Sequence, residues 1–175
     1  VCSSDLGILK IVMQFEKAFW PTHAETFSFI PSEANDELST YCVNMQCVAN
    51  EPVLVFLADG SFAEFIEKES DELIKERMLA KLKQLFGAET VEKVPLVNFA
   101  VTRWNSDPFS KGAYTGIAVN TPVTICDEVA RNYGQIFFAG EHTTLRNGGF
   151  VQGAFDSGIR AAEQVLEQFN KSAKA

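Results

Sequence analysis

Four glycines surround the start of a helix predicted near the end of the chain. They lie within FFAGEHTTLRNGGFVQGAF, residues 137–155, at Gly140, Gly148, Gly149 and Gly153. Glycine lets a backbone approach a ligand closely, and a helix start offers unpaired N–H groups with about half a positive charge. Strand, glycine loop and helix in this order are typical of sites for an anionic oxygen, although a tight strand-to-helix crossover explains the glycines equally well.

Glu141 directly follows the first of these glycines. A carboxylate repels a phosphate, so a ribose or ribityl hydroxyl is the better ligand for this side chain. His142 has no acid or base partner in view, and we interpret it as a packing or loop-capping residue. The loop therefore predicts part of a binding site for a nucleotide-like molecule, and other segments of the protein must complete that site.

The elements that position this loop are several strands, two helices, further strands and a final helix. The predicted strands are ILKIVMQFEKAFW (8–20), TFSFI (26–30), STYCVNMQCV (39–48), PVLVFLA (52–58), VPLVNFAVTRW (94–104), AYTGIAV (113–119) and QIFFAG (135–140). Alternating apolar residues and β-branched or aromatic side chains indicate strands. The predicted fold class is a mixed α/β (α+β) fold, with a mixed sheet flanked by helices and a terminal strand and helix.

Three helices follow from capping residues and apolar spacing. The first begins at Asp59-Gly60-Ser61, the second begins at Ser70 and ends at Gly87, and the third runs from about Phe150 to Phe169. The second helix carries a core stripe at Ile74, Met78, Leu82 and Leu85. In the third, helical spacing is kept by Val151, Ala154, Phe155, Ile159, Ala162 and Val165.

Composition excludes several classes of partner. The 175 residues are 46% hydrophobic and carry a net charge of −8, which disfavours direct nucleic-acid binding. No apolar run approaches the roughly 20 residues of a membrane span, and no signal peptide is recognised, so we expect a soluble intracellular protein in cytoplasm, peroxisome or nucleus. Cys2, Cys42, Cys47 and Cys126 lack metal-ligand spacing, and free, mostly buried thiols are expected. Cys42 and Cys47 should face opposite sides of one strand, which argues against a disulfide.

The first six residues join the following strand without turn or cap signals. VCSSDL, residues 1–6, matches the translated tail of a common sequencing adapter. We therefore predict that residues 1–6 are a library artefact and that the natural chain is truncated near Gly7.

Three ordered stretches resemble the flavin-dependent amine oxidases, the family of polyamine oxidases and lysine-specific histone demethylases. FFAGEHTTLRNGGFVQGAFDSGIRAAEQVL resembles the family's C-terminal signature. VTRWNSDPFSKGAY is similar to its Arg-Trp-x-x-Asp-Pro segment, and LKIVMQFEKAFW is similar to its lysine-bearing strand. The resemblance covers the chain from Gly7 to the end of the final helix.

The resemblance implies FAD bound in two pieces, with the adenine-side Rossmann half absent from this chain. It divides the chain into part of a substrate-binding domain (7–122) and the last piece of the FAD domain (123–175). Gly140 and Glu141 would lie along the ribityl and pyrophosphate portion. Gly149, Phe150 and Val151 would face the flavin. Because Glu141 to Val151 contains no cysteine, the FAD should be non-covalent.

The resemblance also implies roles for four side chains. Lys10 would be the catalytic lysine that holds a water against flavin N5, although by itself it looks like an ordinary edge-strand lysine. Trp104 and Phe109 would pack beside the flavin, and core filling is the alternative. Tyr114 would be a catalytic residue that forms one side of an aromatic sandwich and guides the amine to the flavin. The family often has a second aromatic residue shortly after this position, where this chain has Thr115 and Gly116.

The implied activity is oxidation of a C–N bond in a polyamine or similar amine. Hydride would pass to the flavin, and O2 would be reduced to H2O2. A histone lysine demethylase-like enzyme and a non-catalytic FAD-fold scaffold are the alternatives. No metal, nucleic-acid or membrane partner is expected, and the isolated 175-residue chain should be inactive because the missing N-terminal half carries the other flavin contacts.

Overall fold

The computed structural model describes residues 3–28 and 41–172, and the chain forms two compact units. One, here called the sheet unit, is Gly7–Lys111; the other, the helix unit, is Gly112–Ala175 together with Val1–Leu6. In chain order the elements are β1 (Ser3–Leu6), β2 (Ile8–Phe15), β3 (Thr26–Ser28), β4 (Tyr41–Asn44), α1 (Met45–Ala49), β5 (Val53–Asp59), α2 (Gly60–Glu67), α3 (Asp71–Phe86), α4 (Ala88–Glu92), β6 (Leu96–Val101), β7 (Tyr114–Gly116), α5 (Ile125–Val129), a 3-10 turn (Glu141–Thr143) and α6 (Val151–Ser172).

The sheet unit is built on five strands in the order β3-β4-β5-β2-β6. Each described pair is antiparallel, whereas a sheet of mixed direction was expected. The mixed α+β class predicted from the sequence is confirmed. In the helix unit, β1 pairs with β7, joining Ser3 to Gly116 and Leu6 to Tyr114.

One face of β2 forms the centre of the core. Its alternate residues Leu9, Ile11, Met13 and Phe15 are at most 2% exposed, as the period-two pattern predicts. They share one apolar cluster with the buried face of α3, namely Ile74, Met78 and Leu82. Leu85, also placed in that stripe from the sequence, is 43% exposed because it lies on the last turn of α3.

The strand predicted over residues 39–48 ends early. Residues 39 and 40 lie outside the described part, β4 stops at Asn44, and α1 follows directly. The Asn44 side chain accepts a hydrogen bond from Gln46 N at 3.1 Å and so caps α1. Asparagine favours this position, and the cap breaks the strand pattern. Cys47 consequently lies on a helix, not on a strand.

The strand predicted over residues 135–140 is wrong. This segment contains one isolated bridge, between Tyr133 and Ile136, and no strand. A strand requires a neighbouring strand that takes up its backbone N–H and C=O groups, and the described backbone offers none at 137–139. The Phe138 carbonyl instead accepts from the Arg160 side chain. Phe138 is 38% exposed. Residues 29 and 30 of the predicted strand 26–30 lie outside the described residues.

The described cysteines lie in different surroundings, and Cys42 and Cys47 form no disulfide. Cys42 and Cys126 are buried, and Cys47 is exposed. Burial raises the pKa of the Cys42 thiol to about 12, although a hydrogen bond from the Val55 backbone acts in the opposite direction. The thiolate is the reactive form, so Cys42 should be inert at neutral pH.

Brief alkylation of the folded protein at pH 8 should therefore modify Cys47 and spare Cys42. Peptide mass spectrometry with iodoacetamide before and after denaturation measures the difference. Cys42 should become fully labelled once the protein is unfolded. Equal labelling of both cysteines in the folded protein would contradict the burial of Cys42 on β4.

No helix among residues 3–28 and 41–172 is long and apolar enough to cross a membrane.

Candidate functional site

The N-terminus of α6 is the exposed end of a 22-residue helix. Phe150 and Val151 at this end are 66% and 84% exposed. Phe150 N donates to Asn147 O at 3.2 Å and Gly153 N donates to Phe150 O at 3.1 Å. Among the described residues, no backbone carbonyl accepts from the N–H groups of Val151 and Gln152. The first turn of α6 carries no acidic side chain. This end is therefore suited to an electronegative atom of a ligand.

Gly149 turns the chain into this helix. Its φ of +80° lies in the left-handed region that favours glycine. A methyl group added here would lie 3.3 Å from Tyr114 Cδ2, so the Tyr114 ring packs directly on the Gly149 backbone. Tyr114 is half-buried on β7. The structure thus brings together two residues selected from the sequence for different roles.

The Glu141 carboxylate ties two backbone segments together. One oxygen, Oε1, accepts from Thr115 N at 3.0 Å, and Oε2 accepts from Gly149 N at 2.5 Å. Burial acts to raise the pKa of Glu141, but hydrogen bonds from Thr115 and Gly149 and the electrostatic influence of His142 outweigh it, so the pKa lies below its ordinary value. A carboxylate oxygen can accept more than one hydrogen bond, and contact of Glu141 with a sugar hydroxyl stays a prediction.

The depressed pKa predicts how Glu141 contributes to stability as pH changes. A folded pKa below the unfolded value means a contribution that is fully present above the unfolded value of 4.5 and is lost as pH falls through the folded pKa. The natural protein should unfold at a higher urea concentration than Glu141→Gln. The difference between their unfolding midpoints should be constant from pH 8 to pH 6 and shrink below pH 4.5. A difference that grows on acidification would contradict this.

Two polar side chains of α6 hold the segment that carries Glu141. Ser157 Oγ accepts from Gly140 N at 2.8 Å. Arg160 donates to Phe138 O at 2.8 Å and to Thr143 O at 3.1 Å. Neither residue is predicted as functional from the sequence. Their spacing of three places them on one helix face, which is the signal that could have found them.

The apolar residues spaced along α6 do not form its buried face. Val151, Phe155 and Ile159 are 84%, 68% and 47% exposed. The buried positions are the small residues Gly153, Ser157 and Ala161. Gly153 lies against Asn147, and Ser157 accepts from Gly140 N. His142 packs on Gly140, where an added methyl group would collide with its ring, so the packing interpretation of His142 is supported.

Lys10 lies in the sheet unit on an interior strand. Its strand, β2, is paired with β5 on one side and β6 on the other, so the edge-strand interpretation is wrong. Lys10 N donates to Thr102 Oγ1 at 2.8 Å and Lys10 O accepts from Thr102 N at 3.0 Å. The side chain is exposed on the sheet face opposite the core and forms no ion pair with a described residue. An exposed ammonium group on an interior strand is available to water or a ligand.

Trp104 follows two residues after Thr102, at the start of a loop. The neighbouring Arg103 fixes this point by donating to Asp71 Oδ1 at 2.6 Å and to Glu69 O at 3.0 Å. Trp104 is 42% exposed and Phe109 is 96% exposed. Core filling within the described chain is therefore wrong for both rings.

Asp107 shapes the part of this loop that presents Phe109. Its Oδ1 accepts from Phe109 N at 2.8 Å and from Ser110 N at 2.9 Å. These backbone hydrogen bonds, from Ser110 first and then Phe109, hold the pKa of Asp107 below its ordinary value. The bonds fix the backbone at Phe109 and leave its ring in solvent.

The predicted site residues fall into two sets. Lys10, Trp104 and Phe109 belong to the sheet unit, where Thr102 links Lys10 to the start of the Trp104 loop. The second set, in the helix unit, comprises Tyr114, Gly140, Glu141, Gly149, Phe150 and Val151. Within that set, Glu141 contacts Gly149 directly, and Tyr114 packs on Gly149. No group of three or more metal-ligand side chains occurs among the described residues.

A family model described as flavin containing amine oxidoreductase matches residues 6–166. The chain belongs to this family. Its curated relatives include Polyamine oxidase 5 of Oryza sativa subsp. japonica, 35% identical over 91% of this chain and 32% of its own length. They also include Possible lysine-specific histone demethylase 1 of Drosophila melanogaster, 29% identical over 91% of this chain and 19% of its own length.

A solved amine oxidase shares the fold of this family member. The chain matches cyclohexylamine oxidase from Brevibacterium oxydans IH-35A with a TM-score of 0.72 at 15% identity, over 93% of this chain and 35% of that one. At this identity the match shows the fold alone. The chain spans about a third of the length of the polyamine oxidases that it matches.

Proposed function

We propose that this chain is the C-terminal part of a FAD-dependent amine oxidase that acts on polyamines or related small amines. The observation that carries the proposal is the exposed start of α6, where the N–H groups of Val151 and Gln152 have no backbone acceptor among the described residues and the preceding Gly149 packs on the ring of Tyr114. Membership of a flavin-containing family supports a flavin as the ligand of this site. The proposed division is a substrate-domain segment over residues 7–122 and a FAD-domain segment over residues 123–175.

The chain's own residues fit a flavin at this end of α6. The N–H groups of Val151 and Gln152 would bind its electronegative N1–C2 edge, and the helix dipole would stabilise negative charge there. Gly140 and Glu141 would lie along the ribityl portion. Residues 141–151 contain no cysteine, so the proposed attachment is non-covalent. FAD, when bound, supplies the acceptor for a hydride from the carbon next to the amine nitrogen and passes the electrons to O2, giving H2O2.

The proposed catalytic residues are Lys10 and Tyr114. The Lys10 ammonium group is exposed on a rigid interior strand and would hold a water molecule by hydrogen bonding. The Tyr114 ring, backed by Gly149, would orient the amine. Aromatic faces attract cationic amines by about 0.5–2 kcal/mol. Trp104 and Phe109 are the proposed partners of the flavin from the sheet unit.

A small polyamine is the favoured substrate class. Polyamine oxidases are among the relatives at 35%, 32% and 33% identity, and the chain's charge of −8 attracts polycations. A histone lysine demethylase-like activity is the second candidate, supported by the similarity to Possible lysine-specific histone demethylase 1. Peroxide release by the full-length protein with spermine, compared with a dimethyl-lysine histone peptide, tests the choice. Release with the peptide alone would overturn the polyamine assignment.

A non-catalytic scaffold is the remaining alternative. A scaffold has no need of an exposed Lys10 on an interior strand or of a ring packed on the glycine loop. Full-length protein that binds flavin and oxidises neither substrate would establish the scaffold.

A further inference from the structure

The Glu141 carboxylate is shared between two segments that are distant in sequence. Its acceptor contacts reach Thr115 N, 26 residues earlier, and Gly149 N, 8 residues later. Thr115 belongs to β7, and Gly149 lies two residues before the start of α6. One side chain therefore connects the strand that carries Tyr114 to the loop that begins the proposed flavin-binding helix.

A carboxylate is the side chain that can make both contacts. Both of its oxygens accept, whereas a glutamine amide has one accepting oxygen and an NH2 group that would face an N–H donor. Charge-assisted bonds to backbone N–H groups are also stronger than neutral ones. Arg160 and Ser157 hold the Glu141 segment on α6, so the carboxylate acts from a fixed position.

The Tyr114 ring depends on the same connection. It precedes Thr115 by one residue and packs on Gly149, which are the two residues that Glu141 binds. Loss of either bond would free the ring to move against the glycine loop.

We propose that Glu141 is a positioning residue whose carboxylate fixes the Tyr114 ring relative to the N-terminus of α6. The role rests on the proposed amine oxidase function and adds to it. Glu141 fixes the orientation of the Tyr114 ring, which would contact the amine, relative to the N-terminus of α6, which would bind the flavin. It does so through backbone N–H groups and without contact with the amine.

Hydrogen exchange tests the connection without any turnover. In Glu141→Gln of the full-length protein, peptides covering residues 113–117 and 147–150 should exchange about tenfold faster than in the natural protein, because a charge-assisted bond is lost. Glu128→Gln is the matched control, since Glu128 is an exposed acid of α5 in the same unit. It removes the same charge and should leave both peptides unchanged. Unchanged exchange in Glu141→Gln would overturn the proposal.

Anaerobic flavin reduction by spermine tests the positioning role. Glu141→Gln should lower the limiting reduction rate, measured per bound flavin, by about tenfold to a hundredfold, the usual cost of a misplaced orienting group, whereas Glu128→Gln should keep the natural rate. Glu141→Asp keeps the charge on a shorter side chain and should recover part of the rate. An unchanged limiting rate would overturn the positioning role, as would loss of flavin from all Glu141 variants. Natural protein that is not reduced by any amine would instead overturn the proposed function, whatever the exchange result.

Discussion

Replacing Asn44 with leucine is expected to destabilise the sheet unit by about 3 kcal/mol or more. Asn44 is fully buried, and its Oδ1 accepts from Trp20 Nε1 at 2.7 Å and Gln46 N at 3.1 Å. Its Nδ2 donates to Ala24 O at 2.7 Å and Pro21 O at 3.3 Å. Leucine has similar volume and supplies none of these contacts. Each buried polar group left without a partner costs about 1–3 kcal/mol.

Urea unfolding of the full-length protein, followed by hydrogen exchange of β2 and β5 peptides, measures this loss. Asn98→Ala is the control, because Asn98 is an exposed residue whose amide donates to Gln14 Oε1. It should change the free energy of unfolding by no more than about 0.5 kcal/mol. Equal midpoints for Asn44→Leu and Asn98→Ala would show that the Asn44 network does not stabilise the unit.

Replacing Lys10 with methionine in the full-length protein is expected to slow reoxidation of the reduced enzyme by O2 about a hundredfold. The ammonium group is proposed to act through a held water, and a positioned proton donor contributes about 10²–10⁴-fold. FAD content should not change, because Lys10 is not proposed as an anchor for the cofactor. Stopped-flow mixing of anaerobically reduced enzyme with O2 measures the rate.

Lys17→Met is the matched control, since Lys17 is an exposed lysine that lies two residues beyond β2. Its reoxidation rate should equal that of the natural protein. A Lys10→Met enzyme that is reoxidised at the natural rate would remove Lys10 from the catalytic residues.

The elements predicted best are those with local signals that tertiary contacts reinforce. Strand β2 alternates between buried and more accessible residues, and α3 has a Ser70 cap and a Gly87 stop, so the bounds of α3 were predicted accurately. The strand predicted over residues 8–20 begins where expected but ends at Phe15. The break at Asn44 also had a local signal, since asparagine is a good helix cap. It was overridden by the β-branched and aromatic pattern around it.

Other features depend on partners that the sequence does not reveal. The segment 135–140 has the composition of a strand and finds no neighbouring strand within the described chain. The resemblance located the site residues, but it did not predict which hydrogen bonds they form. That Glu141 would bind backbone N–H groups 26 residues before it and 8 after it follows from the tertiary fold. The spacing of Ser157 and Arg160 places them on one helix face, but their hydrogen-bond partners at Gly140, Phe138 and Thr143 follow from the tertiary fold.

Anaerobic titration of the full-length protein with spermine tests the central claim most directly. The account predicts protein that purifies with the yellow absorbance of oxidised flavin. This absorbance should bleach when the amine is added without O2 and return, with one H2O2 per flavin, when O2 is admitted. Full-length protein that binds flavin yet keeps its oxidised spectrum with spermine and other amines would contradict the account.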